Sequence, residues 1–431
     1  MHITSWRRLA VVPLAVTAIG VLSPTWSGLG GAADEERTTI TFWNGFTGPD
    51  GDALTERVNA FNESQSDYVV EMEIMPWDVL GQRLLPALGA GEGPNLAIGG
   101  AESVGQNANE GAFASLDEFY ASWDEQDQVF PASIAATEWE GEHFSVPMTF
   151  SPILTYYNRA LFEEAGLDPD SPPTTWDEFE QAALALTEDE DGDGTPDQYG
   201  FVLPDHISPP IWEVFMWGNG GGTISEDGQT ATIDDAASIE AVTRWSTLLR
   251  DSQISPAGIN GPDGEALFAA GRVGMVVTGP WMINGFTEAG IDFGVTGVPE
   301  GPEGAFAPAN SNMFFVSRDT MGDENQTAGV EAFLTFWNSR DNQIAWSVAS
   351  GNPPTRTDIT AEDVAENPVM AQFMEFQADA RFFLPGIPNF SEVNSTIYEA
   401  SMQRITAGEG TAEEIMTAAG EELQALLDDA R

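Results

Sequence analysis

The sequence has 431 residues, with 69 acidic side chains against 15 basic ones and a formal net charge of −54. This charge disfavours nucleic acid and anionic membranes as partners, because both are bound through basic surface. The chain contains no cysteine, which excludes disulfides, thiolate metal sites, cysteine nucleophiles and cysteine-linked lipid anchors. Its length suits two domains of ordinary size.

All 15 basic residues are arginine. We interpret the acid excess as adaptation to brine or to a similarly demanding extracellular fluid, because about 1 M salt shortens the Debye length to ~3 Å and screens repulsion between carboxylates. Drift toward GC-rich codons is the alternative. It explains why arginine replaces lysine, but it does not explain the acid excess.

Residues 1–33 are predicted to be an export signal. Arg7 and Arg8 supply the positive start, Leu9–Leu22 a short apolar segment, and Gly31–Ala33 a small-residue cleavage site. The apolar segment is shorter than the roughly 20 residues that span a bilayer. The export signal predicts that the mature protein is periplasmic or extracellular, and the absence of cysteine predicts that it is not a lipoprotein. An uncleaved membrane anchor is the alternative.

After the predicted signal, strand-like and helix-like segments alternate. The predicted strands are Thr39–Trp43, Val69–Ile74 and Leu96–Ile98, and the predicted helices are Gly51–Phe61, Val79–Leu88 and a helix around Ser115–Tyr120. This order predicts an α/β fold with a doubly wound, parallel sheet that binds ligands at the carboxyl ends of its strands. Further on, Ala236–Leu249 and Thr411–Leu427 are predicted amphipathic helices, the second opening on a capping box of Thr411 and Glu414.

Polar and aromatic side chains follow the first three predicted strands. Asn44 and Phe46 follow the first, Trp77 follows the second and Glu102 follows the third. These positions predict a ligand site at the sheet edge. The alternative for Trp77 is that its ring plugs the edge of the sheet.

The segment Asp189–Asp197 places carboxylates at alternate positions around glycines. Asp189, Asp191, Asp193 and Asp197 are predicted calcium ligands, because calcium prefers oxygen ligands and glycine allows the tight turn. The twelfth position of this loop is Gly200 instead of the bidentate glutamate of an EF-hand. A solvated acidic turn is the alternative. Any bound calcium would brace the loop and take no part in catalysis.

Motifs of the common enzyme classes are absent from the sequence. There is no G-x-S-x-G, no H-E-x-x-H and no phosphate-binding loop. Carboxylates are so frequent that no pair stands out as a general acid and base. His143 and His206 have no evident serine partner in the sequence. We expect no catalysis and no cofactor beyond structural calcium, with a secreted glycosidase as the alternative.

Two segments carry a family resemblance: Val146–Trp176 and Gly271–Trp281. Together with Gly351–Pro354 and Leu384–Pro388, they make the chain similar to the family 1 extracellular solute-binding proteins of ABC importers. That family includes maltose, glycerol-phosphate and other carbohydrate binders. The likeness covers nearly all of the predicted mature chain in consistent order.

The resemblance implies a two-lobed periplasmic binding protein fold of type II, each lobe a mainly parallel sheet flanked by helices. The first lobe would hold residues 34–150 plus 312–350, and the second 151–311 plus 351–431. Ligand would lie in the cleft between the lobes. The implied partners are a carbohydrate and the transmembrane subunits of an ABC permease, with the binding protein a monomer.

The resemblance also implies which residues bind the ligand. Trp281 and Trp212 fall at or beside stacking positions, and Glu102 falls where an acidic side chain accepts sugar hydroxyls. The remaining implied ligand contacts are Asn44, Phe46, Ser151, Ser311, Asn352 and Asn394, whereas Trp77 is predicted from its position after the second strand alone. Asn394 stands where maltose binders carry a stacking tryptophan, which disfavours maltose and long maltodextrins. No arginine matches the one that helps the glycerol-phosphate branch grip phosphate, so a neutral sugar is favoured.

Overall fold

We analysed a computed structural model, which describes residues 37–225 and 227–429. The predicted export signal lies outside these residues. The strands are β1 Thr38–Asn44, β2 Tyr68–Ile74, β3 Leu96–Gly100, β4 Glu138–Trp139, β5 Glu142–His143, β6 Val146–Pro147, β7 Ser151–Pro152, β8 Leu154–Asn158, β9 Tyr199–Val202, β10 Val273–Thr278, β11 Phe293–Thr296, β12 Pro308–Asn310, β13 Asn312–Val316 and β14 Arg381–Phe382.

The helices are α1 Pro49–Ser64, α2 Trp77–Gly89, α3 Val104–Glu110, α4 Asp117–Ser122, α5 Pro131–Ala135, α6 Arg159–Glu164, α7 Trp176–Ala185, α8 Ile211–Gly218, α9 Ala236–Ser252, α10 Gly261–Ala269, α11 Met282–Glu288, α12 Glu324–Trp337, α13 Arg340–Ser350, α14 Pro368–Phe376, α15 Phe390–Glu392, α16 Ala400–Thr406 and α17 Ala412–Asp429. A π-helical segment, Val393–Glu399, joins α15 to α16.

The first sheet has the strand order β2-β1-β3-β13-β6. Strands β1, β2 and β3 are parallel, as the alternation of strand and helix predicts, and β13 returns antiparallel to β3. Every second residue of β1 points into the core, where Phe42 packs against Phe314 and Phe333. Helices α1, α2 and α12 pack against β1 and β2 and shield their apolar side chains from water, as parallel strands require.

The second sheet has the order β11-β8-β10-β9 and is mixed, which differs from the expected mainly parallel sheet. Only β10 and β9 are parallel, and β8 runs antiparallel to both of its neighbours. Strand β8 enters directly from the short strand β7 instead of through a β-α unit, so it need not run parallel to its neighbours. All six residues of β10 are buried. Trp176, Phe215 and Trp245 pack in the core beside this sheet.

A third, short sheet of order β14-β12-β7 lies where the chain passes from one core to the other. Strand β7 leads into β8 of the second sheet, and β12 is followed at once by β13 of the first. The first core draws its residues from 40–148 and 313–346, and the second from 153–307 and 373–427. We call the parts built on these cores the first and second lobes, and the chain crosses between them repeatedly.

Candidate ligand-binding cleft

The first-lobe edge of the site is the turn after β1. The Asn44 side chain is buried, and its Oδ1 accepts a hydrogen bond from the backbone N–H of Phe46 at 3.0 Å. Phe46 is also buried and meets Trp77 edge to face, with ring centroids 5.6 Å apart. The Trp77 side chain is 43% exposed at the start of α2. A Cβ at Gly45 would lie 2.2 Å from the Trp77 ring, so only glycine allows this close contact. The turn therefore presents one aromatic face to solvent.

Glu102 lies in the short turn Ala101–Ser103 that follows β3. Its side chain is half-buried, and this burial raises the pKa of the carboxyl group above its usual value. The second lobe contacts the neighbouring helix α3. The backbone N–H and the hydroxyl of Ser391 both donate hydrogen bonds to Gln106 Oε1, at 3.1 and 2.9 Å. The lobes therefore touch one turn of helix away from Glu102.

Trp281 is the predicted stacking residue that the structure positions most firmly. Its indole N–H donates to Glu265 Oε1 at 3.1 Å, and the same oxygen accepts the Thr278 hydroxyl at 2.5 Å. A Cβ at Gly279 would lie 1.9 Å from the indole, so the ring folds onto a glycine backbone. Burial raises the pKa of Glu265. Sequence reasoning missed Glu265. Its signal was an acidic residue on the helix before the strand that ends in the Gly-Pro-Trp motif.

Trp212 does not present the stacking face that the resemblance implies. Its side chain is 1% exposed, packs in the second core, and donates its indole N–H to the backbone carbonyl of Pro204 at 3.0 Å. The reason lies in α8, where seven of the eight residues are buried. A helix that is apolar on nearly all sides is packed into the core. This structure therefore offers no open indole at Trp212.

Three predicted polar contacts form hydrogen bonds within the protein at the crossover. The Ser311 hydroxyl donates to the Thr149 carbonyl, and the Ser151 hydroxyl donates to Asn352 Oδ1 at 3.5 Å. All three predicted residues, Ser151, Ser311 and Asn352, are buried. The structure brings Ser151 and Asn352 together as a link between strand β7 and the segment after α13.

Asn394 is half-buried in the π-helical segment, near Glu399. Glu399 Oε1 accepts the backbone N–H of Ile207 at 3.0 Å. Ile207 has φ of +46° and is 64% exposed. A β-branched residue in the left-handed region is strained, and such strain concentrates at functional sites. Sequence reasoning missed both Ile207 and Glu399. The only signal was an apolar residue set in a loop before two prolines.

Three of the four predicted calcium ligands lie close together in one exposed loop. Oxygens of Asp189, Asp191 and Asp197 lie within 4.8 Å of one another, and Asp193 is outside this group. Asp189 also accepts the backbone N–H groups of Gly192 and Gly194, both at 2.9 Å. The donor set fits calcium by type, since all three ligands are carboxylates.

The described part of the chain contains no helix with the length and apolar character to cross a bilayer. Residues 56–372 match the family described as bacterial extracellular solute-binding protein. The chain belongs to this family. The resemblance drawn from the sequence motifs is thereby confirmed.

Relatives of this solute-binding protein align along most of its length. A putative binding protein of Brucella abortus (strain 2308) is 26% identical, over 99% of this chain and 100% of the relative. The galactooligosaccharide-binding protein of Bacillus subtilis (strain 168) is 24% identical over 85% of each chain.

A solved structure shares the fold. It is an ABC transporter solute-binding protein from Thermotoga lettingae TMO bound with alpha-D-tagatose, 24% identical, with a TM-score of 0.80 over 90% of this chain and 100% of that one. This likeness confirms the predicted two-lobed α/β fold class.

Proposed function

We propose that this solute-binding protein binds a neutral sugar or a short oligosaccharide between its lobes and delivers it to the transmembrane subunits of an ABC permease. The observation that carries the proposal is the position of Trp281. Its indole lies against Gly279, donates a hydrogen bond to Glu265 and is partly exposed to solvent. The galactooligosaccharide-binding relative and the tagatose-bound neighbour support the same ligand class.

The side chains near the strand ends suit a sugar. An aromatic face packs on the C–H face of a pyranose, and carboxyl groups accept or donate hydrogen bonds to its hydroxyls. Trp77 and Trp281 offer the aromatic faces. Glu102 offers a carboxyl group, and its burial raises the pKa of that group above its usual value. These side chains therefore supply the two chemistries that sugar recognition needs.

The proposal includes binding without turnover, against the alternative of a glycosidase. A glycosidase needs two carboxyl groups on either side of the scissile bond. Glu265 is an unsuitable second carboxyl group, because its Oε1 accepts hydrogen bonds from both Thr278 and Trp281.

Three further parts of the proposal concern the state of the protein outside the cleft. The membership of an extracellular family supports an exported protein, which we propose is monomeric. Calcium bound by Asp189, Asp191 and Asp197 would brace the loop before β9 and supply no catalysis. The excess of acidic residues supports our proposal that the protein functions in concentrated salt.

The test is isothermal titration of the full protein with a panel of neutral mono-, di- and trisaccharides. Trp281→Ala should weaken the affinity for the bound sugar by about 1–3 kcal/mol through loss of an aromatic packing surface. Glu102→Ala should cost about 1.5–3 kcal/mol through loss of a charge-assisted hydrogen bond. Glu71→Gln, on the exposed face of β2, is the matched control and should bind normally.

Mass spectrometry of the sugar after incubation distinguishes binding from hydrolysis. Recovery of the intact sugar at stoichiometric binding supports the proposal. Cleaved sugar would favour the glycosidase. Normal affinity in both folded cleft variants would show that the ligand is held elsewhere.

A further inference from the structure

A cavity of about 750 Å³ lies between the lobes and is lined by none of the predicted ligand contacts. One wall is α5, and Ile134 within this helix and Ala136 directly after it pack on the first core. The opposite wall is α8 and the loop after it, in the second lobe. Strand β14 and the residues that follow it close the end. The volume is within the range of small-molecule sites, roughly 300–1,000 Å³.

The cavity wall includes a carboxyl group that lacks a full set of partners. Glu213 on α8 is completely buried, and one of its oxygens accepts the Thr223 hydroxyl. Its Oε2 has no hydrogen-bond partner among the described residues. Burial raises the pKa of Glu213 to about 8, so the group is mostly protonated near neutral pH. An unpaired buried polar atom is destabilising, and a ligand that supplied the missing partner would remove that cost.

Aromatic surface and a cation line the same cavity. Trp217 stands one helical turn after Glu213 on the same side of α8, and its indole approaches Gly222. The guanidinium of Arg381 lies 3.6 Å from the ring centroid of Phe306. Arg381 is exposed and makes no side-chain hydrogen bond to another described residue. The cavity therefore offers an aromatic face and unused N–H donors.

The charges around the cavity select a neutral ligand. Asp235 and Glu303 line it and are exposed, so they repel anions. Arg381 already covers the Phe306 ring and repels a second cation. A hydroxyl group can donate to a carboxylate and accept from a carboxylic acid, so it satisfies Glu213 in either protonation state.

We infer that this cavity is a second binding site, separate from the predicted cleft, for a neutral polyhydroxylated molecule of mono- or disaccharide size. Glu213 bonds a hydroxyl group, Trp217 packs on the C–H face of the ring, and Arg381 donates to further oxygens. Since the walls come from both lobes, an occupant contacts both and is linked to their relative movement. This site is inferred independently of the sugar proposed for the cleft.

The test uses the full protein labelled with 5-fluorotryptophan and observed by fluorine NMR. The Trp217 and Trp281 signals are assigned from Trp217→Phe and Trp281→Phe. Glucose, galactose, mannose and trehalose are each titrated to about 50 mM, which saturates sites with millimolar dissociation constants. Trp245, buried in the second core, is the internal control.

We expect at least one sugar to shift the Trp217 signal saturably and to do so equally in Trp281→Ala. Glu213→Leu removes both oxygens of the side chain, and Ala135→Phe fills the cavity from an exposed position on α5. Glu213→Leu should weaken the affinity reported by the Trp217 signal about tenfold, the equivalent of one lost hydrogen bond of this kind. Ala135→Phe should abolish the Trp217 response, because the new ring occupies the space of the ligand. If Glu213→Leu fails to fold by circular dichroism, Ala135→Phe decides the matter alone.

The inference is overturned if no sugar shifts Trp217, if the shift survives in a folded Ala135→Phe, or if it disappears in Trp281→Ala. The Trp281 signal reports separately on the cleft. A response of Trp217 without one of Trp281 would support this site and count against the proposed cleft, whereas the reverse would do the opposite.

Discussion

At the scale of single residues, the proposed cleft depends most on Trp281. Its ring orientation depends on two neighbours: Gly279, which allows the indole to lie on the backbone, and Glu265, which accepts its N–H. Glu265 is therefore a positioning residue for the aromatic surface. A partner that fixes an indole reduces the rotamer entropy lost when a sugar binds.

We predict that Glu265→Ala weakens sugar affinity by about 0.5–1.5 kcal/mol, the usual net value of one hydrogen bond. Glu265→Gln should restore most of the affinity, because the amide oxygen can still accept from Trp281. Titration calorimetry of both variants checks this. Equal losses in the two variants would contradict a positioning role through that oxygen.

The buried Glu213 makes stability depend on pH. Its pKa is about 8 in the folded protein against an ordinary value of 4.5, so the folded state binds more protons between these values. The contribution of Glu213 to stability must then fall as the pH rises from about 4.5 to 8, and level off above 8. Burial is the main cause of the shift, and the hydrogen bond from Thr223 opposes it.

We therefore predict that Glu213→Gln removes part of this loss, so that the variant gains stability relative to wild type as the pH rises from 5 to 8. Urea unfolding at several pH values in concentrated salt measures the difference. Tyr398, whose raised pKa partly reflects the nearby Glu213, does not titrate in this window. A difference between the two proteins that stays constant with pH would contradict the prediction.

At the scale of elements, the acidic loop before β9 joins α7 to the second sheet. Its ends are closed by a backbone bridge between Glu188 and Gln198, and Arg272 donates to the Asp197 carbonyl at 3.1 Å. The carboxylates themselves are exposed. The loop is thus braced at its base, while its tip carries concentrated negative charge that a cation would neutralise.

We predict that millimolar calcium raises the melting temperature by mass action on the folded state. Replacing Asp189 and Asp191 together by asparagine should abolish this increment, because asparagine keeps the backbone hydrogen bonds but loses the charge. Glu190→Gln, in the same loop but outside the carboxylate cluster, is the control and should respond like wild type. Differential scanning calorimetry with and without calcium checks this. An undiminished response in the double variant would make the loop a solvated turn.

The molecule as a whole carries its charge excess mainly as exposed carboxylates. Several of its arginines form local ion pairs, such as Arg244 with Asp177 and Glu180, and Arg159 with Asp170. Exposed pairs contribute little to stability, roughly 0–1 kcal/mol each. Mutual repulsion between the remaining carboxylates therefore opposes folding in dilute solution.

We predict that the melting temperature rises markedly between about 0.1 and 2 M KCl as the salt screens this repulsion. Glycine betaine at the same osmolality is the control, because it carries no net charge and cannot screen. A flat or falling melting temperature in KCl would contradict adaptation to brine.

Some features of this protein followed from the sequence alone. Strand and helix order predicted the parallel part of the first sheet, and the motifs Val146–Trp176 and Gly271–Trp281 predicted the family. The capping box of Thr411 and Glu414 is present at the start of α17, with both hydrogen bonds formed. These features are local, because periodicity and caps involve residues within a few positions of each other.

Other features were decided only by the tertiary structure. Trp212 is buried because nearly all sides of α8 pack against the protein. The position of a residue in a sequence motif does not show how its helix is packed. Ile207 is held by Glu399, 192 residues later in the chain, and the cavity around Glu213 is walled by both lobes. Burial and hydrogen-bond partners depend on residues that are distant in sequence and are brought together only when the chain folds. Local patterns therefore predict which elements form, while the complete packing decides which side chains remain open to a ligand.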